Sequence, residues 1–255
     1  MSDRTYEDRK YWNRLRKSRE YYEEERVTLD GKGGEIEFDE EILAAVEGKD
    51  VLDVGCGVGL FTLEISKRAK KVVGIDFSEE AVARAKKSQE AGGRPKNVRF
   101  EQADAGSLPF GSAEFDVVVS RRGPVTSSAR TLSEAHRVLR KNGLLMEITI
   151  GERDKENLVS IFGRGQMYGV KEGIAFSKRR MLEEAGFREI VIVDYAATEI
   201  FETMKDLTIR LNSAPIIPDF NAEKDRKFLA AVEKSCATSR GIETPIHRVT
   251  IIAKG

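Results

Sequence analysis

The 255-residue sequence is poor in cysteine and histidine: it has only Cys56, Cys236, His136 and His247. Two distant cysteines cannot build a disulfide framework, and the sequence contains neither a C-x-x-C nor an H-x-x-x-H pair. We therefore predict no structural metal. So few thiols, with no framework to form, also suit a reducing compartment, and we expect a cytoplasmic location.

Long hydrophobic runs and an excess of charge of one sign are also missing. No segment approaches the ~18 apolar residues that a membrane span needs, and the N-terminus MSDRTYEDRK has no apolar stretch after its charges. The 43 basic residues are balanced by 43 acidic ones, so no overall positive field attracts nucleic acid. We expect no membrane segment, and a small molecule rather than nucleic acid as the partner.

The stretch 51–62, VLDVGCGVGLFT, is the most informative part of the sequence. An apolar run leads into Gly55, Gly57 and Gly59, and a segment with helical character follows. Glycines let the backbone turn sharply and approach a ligand, while the start of a helix presents free N–H groups. The pattern predicts a nucleotide-like ligand. Leu60 stands where the dinucleotide fingerprint G-x-G-x-x-G has its last glycine, which disfavours an NAD enzyme.

Strands and helices alternate along the rest of the chain. Apolar runs at 71–76, 97–104, 115–120 and 144–150 predict further strands, with helical segments between them. This order predicts an α/β fold of the doubly wound type with a mostly parallel sheet.

Two of these runs, VVGID and FEQAD, end on the acids Asp76 and Asp104. In open α/β sheets, ligands bind at the carboxyl ends of the strands. Together with the glycine turn and the segments FDVVVS (115–120) and EAHRVLRKNGLLMEI (134–148), these blocks resemble the class I S-adenosylmethionine (SAM)-dependent methyltransferases. The resemblance implies a seven-stranded sheet with an antiparallel last strand, SAM as cofactor, and methyl transfer as the activity.

The resemblance also implies roles for individual residues. Asp53 would orient the methionine ammonium, Asp76 would accept from the ribose hydroxyls, and Phe77 would lie against the adenine. Asp104 would accept from the adenine amino group, with the Ala105 amide nearby. The full set of implied cofactor contacts is Tyr11, Trp12, Asp53, Gly55, Cys56, Gly57, Gly59, Asp76, Phe77, Asp104, Ala105 and Ser120.

Residues 6–26 contain no glycine or proline and place Tyr11 on a helical stripe beside Trp12. The pattern predicts an amphipathic helix whose aromatic side chains either pack on the core or cover the cofactor.

The predicted organisation has two parts. An N-terminal helical cap with a glycine-rich loop takes residues 1–38, and a methyltransferase domain takes residues 39–255. Segments at about 151–176 and 196–245 are predicted to shape the acceptor side of the domain.

No catalytic triad accompanies the glycine turn, which agrees with a displacement that proceeds largely by alignment. Glu147 and His136 could act as bases by residue type, but we interpret both as structural.

The chain reads SRRGPVTSS (120–128) where many small-molecule members carry an aromatic residue and a histidine. An arginine near the positively charged sulfonium of SAM would repel it and therefore needs an anionic partner. We therefore expect one of Arg121 and Arg122 to hold structure or cofactor and the other to face an acidic acceptor; two structural salt bridges are the alternative.

Three functions are compatible with these patterns. The first is a SAM-dependent methyltransferase that acts on a small molecule. The second is a non-catalytic module that binds SAM or adenosylhomocysteine. The third is an RNA methyltransferase, which would need a local basic groove.

Overall fold

Strands and helices alternate in this computed structural model, which describes residues 25–93 and 95–255. The strands are β1 (Val27–Asp30), β2 (Asp50–Val54), β3 (Lys71–Asp76), β4 (Val98–Gln102), β5 (Phe115–Arg121), β6 (Leu139–Ile150), β7 (Arg188–Phe201), β8 (Ala237–Thr238) and β9 (Gly241–Lys254). The helices are α1 (Glu35–Ala45), α2 (Leu60–Ser66), α3 (Glu79–Ala91), α4 (Ala129–Val138), α5 (Glu156–Phe162), α6 (Ile174–Glu184), α7 (Met204–Ser213) and α8 (Arg226–Cys236). A short 3₁₀ turn, Val125–Ser127, precedes α4.

The described strands form one nine-stranded sheet in the order β1-β7-β9-β6-β5-β2-β3-β4, with β8 paired to β9. Strands β6, β5, β2, β3 and β4 run parallel to one another. Strand β9 lies antiparallel between β6 and β7, and β1 pairs antiparallel with the end of β7. The mostly parallel α/β sheet with an antiparallel last strand is therefore confirmed.

The central strands are apolar because helices cover both faces of the sheet. On one face Leu52 and Val118 pack with Leu132 of α4, and on the other Val51 and Val72 pack with Ile42 of α1. A third cluster lies beneath the segments that follow β6 and β7, around Leu207 and Val232. The two main clusters hold the strand ends in place, and the sites described below lie at those ends.

The sheet has two more strands than the expected seven. Strands β7 and β9 are each 14 residues long, so their outer ends extend past the central strands. These ends pair with β1 and β8. Pairing satisfies backbone groups that an unpartnered edge would leave exposed.

Helix α1 begins at Glu35, where Gly34 is its N-cap with a left-handed φ of 82°. Phe38 and Ile42 of this helix are fully buried, so the predicted boundary between residues 38 and 39 falls inside one packed helix. The predicted helix over 6–26 lies outside the described residues except for Glu25 and Arg26, which are not helical. No helix within the described ranges is both long and apolar enough to cross a membrane.

We predict that Ile42→Ala lowers the free energy of unfolding by about 2–5 kcal/mol, because it leaves a cavity under a fully buried side chain. Ile36→Ala is the matched control on the same helix: Ile36 is 70% exposed, and its loss should change stability by less than about 0.5 kcal/mol. Denaturant unfolding of both variants checks the difference. Equal losses would mean that α1 does not pack as described.

Candidate functional site

A cavity of about 770 Å³ opens at the carboxyl ends of β2, β3, β4 and β5, and we call it the large cavity. Its lining residues are Val54, Gly55, Ile75, Asp76, Phe77, Gln102, Ala103, Asp104, Ala105, Gly106, Arg122, Gly123, Pro124, Ser127, Ser128, Arg130 and Thr131. The volume lies within the range of about 300–1,000 Å³ that small-molecule and cofactor sites occupy.

The glycines of the turn after β2 have different physical roles. A Cβ on Gly55 would lie 3.2 Å from the Gly123 Cα and 3.3 Å from the Pro124 Cδ, so the two loops meet almost backbone to backbone. A Cβ on Gly59 would lie 2.6 Å from the Phe100 ring, and its φ of 79° disfavours other residues. Gly55 thus allows the cavity wall to close, whereas Gly59 allows α2 to pack on the sheet.

Asp76 joins the glycine turn to the start of α3. One of its carboxylate oxygens accepts from the Gly57 amide at 3.0 Å, and the other accepts from the Ser78 amide at 2.9 Å. The residue is buried yet borders the large cavity. A carboxylate has about four acceptor positions, so these two bonds are compatible with a ligand hydroxyl at the same group.

Asp53 lies beneath the turn, 4% exposed, and does not line the large cavity. The Thr62 hydroxyl donates to it at 2.7 Å. Burial raises the pKa of Asp53 to about 6, although the Thr62 bond and the positive charge of Arg121 act in the opposite direction. This carboxyl group therefore supports the turn from below.

The far end of the large cavity is formed by the segment after β4. Asp104 has a largely exposed side chain, which accepts from the Gly106 amide at 2.8 Å and lies 4.0 Å from Arg130. The Arg130 guanidinium also donates to the Gly106 carbonyl at 2.6 Å. Phe77 and Ala105 complete this end.

Arg121 and Arg122 point to different places. Arg121 makes a salt bridge to Asp39 at 2.8 Å, and its guanidinium lies 4.2 Å from the centre of the Phe61 ring. Arg122 has a left-handed φ of 57° and a half-exposed side chain that lines the large cavity. Its nearest acid is Glu35, at the longer distance of 3.7 Å. Arg121 is thus held within the fold, while Arg122 faces the open space.

The structure brings some of the predicted site residues together and places others behind them. Those that line the large cavity are Gly55, Asp76, Phe77, Asp104, Ala105 and Arg122. Those that lie outside its lining are Asp53, Cys56, Gly57, Gly59, Ser120 and Arg121. Ser120 is fully buried beneath Gly123. Tyr11 and Trp12 lie outside the described residues.

Sequence reasoning missed the wall formed by the loop after β5, where Gly123, Pro124, Ser127 and Ser128 line the large cavity. A signal for it was present. Ser128 and Thr131 form a capping box, in which the Ser128 hydroxyl accepts from the Thr131 amide at 3.2 Å. That box sets the start of α4 and hence the length of the loop.

A second opening, which we call the small cavity, has a volume of about 330 Å³. It is lined by Val27, Thr28, Leu29, Gly31, Lys32, Gly33, Glu35, Ile36, Glu37, Arg122, Glu199, Arg210, Ile246 and Arg248. Arg122 borders both cavities, so they are neighbours on one edge of the sheet.

Neither residue considered as a base lines the large cavity. Glu147 is 1% exposed and accepts from the Thr126 amide at 3.1 Å, and the Lys178 ammonium donates to the Thr126 carbonyl. His136 lies edge-on to Phe187, with 4.9 Å between ring centres. Within residues 25–93 and 95–255, no cluster of His, Cys, Asp or Glu has the arrangement of a metal site.

The segment that lines the large cavity matches a known protein family. Residues 51–143, which supply all of its lining residues, match the family described as a methyltransferase domain. Residues 51–143 form a methyltransferase domain of the class I, SAM-dependent family. SAM is the cofactor of this family, and Gly55, Asp76, Phe77 and Asp104 line one cavity.

Individual relatives of this chain differ in their named reactions. Phosphatidylethanolamine N-methyltransferase of Cereibacter sphaeroides is 37% identical over 45% of this chain and 57% of its own length. The SAM-dependent Diels-Alderase iccD of Talaromyces variabilis is 28% identical over 58% of this chain and 56% of its own. The solved structure of YcgJ from Bacillus subtilis superimposes with a TM-score of 0.64 over 85% of this chain and 97% of its own, at 19% identity.

The chain spans no more than 60%, and as little as 20%, of the length of such curated relatives. The family match itself covers residues 51–143, which include the lining of the large cavity. Apart from Arg122, the residues of the small cavity lie outside positions 51–143.

We predict that Glu147 makes stability depend on pH. Burial raises its pKa from 4.5 to about 7, against the opposing effects of Lys178 and the Thr126 hydrogen bonds. The folded chain therefore binds this proton more tightly than the unfolded chain does. The resulting stabilisation is complete below about pH 4.5 and is lost as the pH rises through about 7.

Glu147→Gln removes this titration. The difference in unfolding free energy between the variant and the wild type should change by about 2–3 kcal/mol between pH 5 and pH 8, in favour of the variant at the higher pH. Urea unfolding at several pH values measures it, with Glu183→Gln as the control because Glu183 is exposed. Parallel pH profiles for wild type and Glu147→Gln would refute the assignment.

Proposed function

We propose that this chain binds SAM in the large cavity and transfers the methyl group to an acidic small molecule. The observation that carries the proposal is the convergence of Gly55, Asp76, Phe77 and Asp104 on one cavity at neighbouring strand ends. SAM supplies an activated methyl group, and the protein contributes binding and alignment.

The residues present fit SAM. Gly55 offers bare backbone in a space where a Cβ would already touch the opposite loop. Asp76 and Asp104 supply carboxylate acceptors at two separate points, suited to the ribose hydroxyls and the adenine amino group. Phe77 offers an aromatic face between them. In this assignment the Ala105 amide lies at the adenine end.

For Asp53 we propose an indirect part in binding. Its burial and its bond to Thr62 place it under the glycine turn. The Asp53 carboxylate, which also interacts electrostatically with Arg121, would attract the methionine ammonium through the turn and not by a contact inside the cavity.

Arg122 supports an acidic acceptor. A guanidinium about 6 Å from the SAM sulfonium would repel it by roughly 3 kcal/mol at an effective dielectric near 20. An arginine at this wall therefore requires negative charge nearby. Glu35 lies 3.7 Å away, and its carboxylate oxygen is also bonded by Arg248 at 3.2 Å. A carboxylate or phosphate on the acceptor would complete the pairing of Arg122.

A second candidate function is binding of SAM or adenosylhomocysteine without methyl transfer. The relationship to a protein named as a Diels-Alderase favours keeping it, because that relative is named for a reaction other than methyl transfer. Methylation of RNA and a cytoplasmic location stay predictions.

Incubation with SAM labelled in its methyl group, together with fractionated metabolites, distinguishes methyl transfer from binding alone. We expect label to appear in an anionic small-molecule fraction. Label in no fraction, although SAM binds, would refute methyl transfer and favour the binding module. Label in a neutral or cationic product would refute the acidic acceptor.

We predict that Asp104→Ala weakens SAM binding by about 10- to 150-fold, equivalent to about 1.5–3 kcal/mol for a hydrogen bond to a charged group. Its melting temperature should change little, because the Asp104 side chain is largely exposed. Asp76→Ala should weaken SAM to a similar degree and also lower stability, because Asp76 bonds two backbone amides.

Calorimetry with SAM and thermal unfolding measure the two effects separately. Glu64→Ala is the surface control, since Glu64 pairs with the exposed Lys67 at the end of α2 and lines neither cavity. Undiminished SAM affinity in both aspartate variants would remove these residues from the cofactor site.

A further inference from the structure

The small cavity is built largely from parts of the chain outside the matched methyltransferase region. Its lining comes from residues 27–37 and from positions 199, 210, 246 and 248, with Arg122 as its contribution from positions 51–143. The match to the methyltransferase domain therefore does not indicate its ligand. That ligand has to be deduced from the side chains that line it.

The position of the small cavity suits a molecule that meets the cofactor. Arg122, which follows β5 directly, lines both cavities. Arg248 of β9 pairs with Ile150, the last residue of β6, so the small cavity lies at the same sheet edge as the large one. A ligand in the small cavity would approach the large cavity across Arg122.

The inner wall of the small cavity carries charges that are already paired. Arg248, 5% exposed, bonds Glu35 at 3.2 Å and also Asp154. Burial opposes ionisation of Glu35, but Arg122 and Arg248 outweigh it and lower its pKa. The carboxylate therefore stays ionised and compensates the arginine. A buried charge without such a partner would be strongly destabilising.

A second paired group closes the other side of this wall. Glu199 accepts from the buried Lys155 at 2.5 Å and lies 3.6 Å from Arg210, which also bonds Glu25 at 2.8 Å. Burial again opposes ionisation, but Lys155 and Arg210 lower the pKa of Glu199. The inner wall is thus a fixed set of compensated charges with little net attraction for an ion.

Uncompensated positive charge lies at the outer side of the small cavity. Lys32 is exposed and makes no ion pair within residues 25–93 and 95–255. Arg122 has only the distant contact to Glu35, which Arg248 already shares. The remaining acid, Glu37, accepts from the Gly34 amide at 3.1 Å in the first turn of its own helix. Lys32 and Arg122 are therefore the groups available to an anion.

Apolar side chains complete the lining. Leu29 is 44% exposed and Ile36 is 70% exposed, although both are large hydrophobic residues. They face the small cavity together with Val27 and Ile246. Covering such surface is favourable because it removes apolar area from water. A ligand with an apolar body would use this surface, whereas a small inorganic anion would not.

We infer that the small cavity binds an organic acid with an apolar body, whose acidic group faces Lys32 and Arg122. That this acid is the methyl acceptor rests on the proposed function. Its binding does not, because the small cavity and its charges exist independently of the cofactor. The acidic group is a carboxylate or a phosphate, and the two are distinguished by the probes below.

The test uses four probes on the protein as it exists: hexanoate, hexyl phosphate, 1-hexanol and acetate. Calorimetry should show that hexanoate or hexyl phosphate binds at least tenfold more tightly than hexanol, which lacks the charge, and than acetate, which lacks the apolar body. Stronger binding of one acid identifies the group that Lys32 and Arg122 prefer. If neither acid binds better than hexanol and acetate, the inference is overturned.

Variants then assign the binding to the small cavity. Lys32→Gln and Arg122→Gln should each weaken the preferred acid by about threefold to tenfold, the effect of losing one partly exposed charge-assisted contact. The matched controls are Lys67→Gln, an exposed lysine immediately after α2, and Arg121→Gln, whose side chain bonds Asp39 instead of lining either cavity. Equal loss in test and control variants would show that the acid binds elsewhere and would overturn the inference.

SAM affinity measured on the same samples keeps the two proposals apart. Lys32 lines the small cavity and not the large one, so Lys32→Gln should weaken acid binding while it leaves SAM affinity unchanged. Acid binding that depends on Lys32, in a protein that does not bind SAM, would support this inference and refute the proposed function. SAM binding without selective acid binding would overturn this inference and leave SAM binding by the large cavity supported.

Discussion

The contact between the loops after β2 and β5 is the constraint on which both cavities depend. Gly55 approaches Gly123 so closely that a Cβ would lie 3.2 Å from the opposite Cα, and a Cβ on Gly123 would lie 2.5 Å from the Val54 carbonyl oxygen. Neither loop has room for a side chain at this point. The contact closes one wall of the large cavity and brings Arg122, the residue before Gly123, to the boundary with the small cavity.

Charge in this protein is organised locally rather than across its surface. The chain has equal numbers of basic and acidic residues, so its composition indicates no preferred ligand. Within the small cavity, however, buried pairs such as Arg248 with Asp154 neutralise the inner wall and leave Lys32 and Arg122 at the outer side. Pairing is the condition for keeping these ions out of water, since desolvation of an isolated charge costs several kcal/mol. Because most of the charges are paired, the composition gives no sign of the site, and the same pairing leaves Lys32 and Arg122 as its available charges.

The large and small cavities have different relationships to known proteins. Positions 51–143, which supply the lining of the large cavity, match a family described as a methyltransferase domain. Relatives of the chain are named for methyl transfer and, in one case, for a Diels-Alder reaction, so the named reactions differ. Strand β1 and the outer ends of β7 and β9 lie outside these positions and line part of the small cavity.

The sequence by itself determined the order of strands and helices and the position of the cofactor side of the site. Glycine spacing and acids at strand ends are local patterns, so Gly55, Asp76 and Asp104 could be placed at one edge of a parallel sheet before any contact was known. The seven-stranded expectation fell two strands short, because pairing of β1 and β8 depends on how far β7 and β9 extend.

Only the tertiary structure decided which way neighbouring side chains face and which distant charges meet. Arg121 and Arg122 are adjacent and of the same residue type, so the sequence does not distinguish them. In the structure Arg122 has a φ of 57° and faces the cavities, whereas Arg121 bonds Asp39. Arg248 meets Glu35 across 213 positions of sequence. Such pairs follow from long-range packing, which fixes burial and therefore decides which charges must be compensated and which are left to bind a ligand.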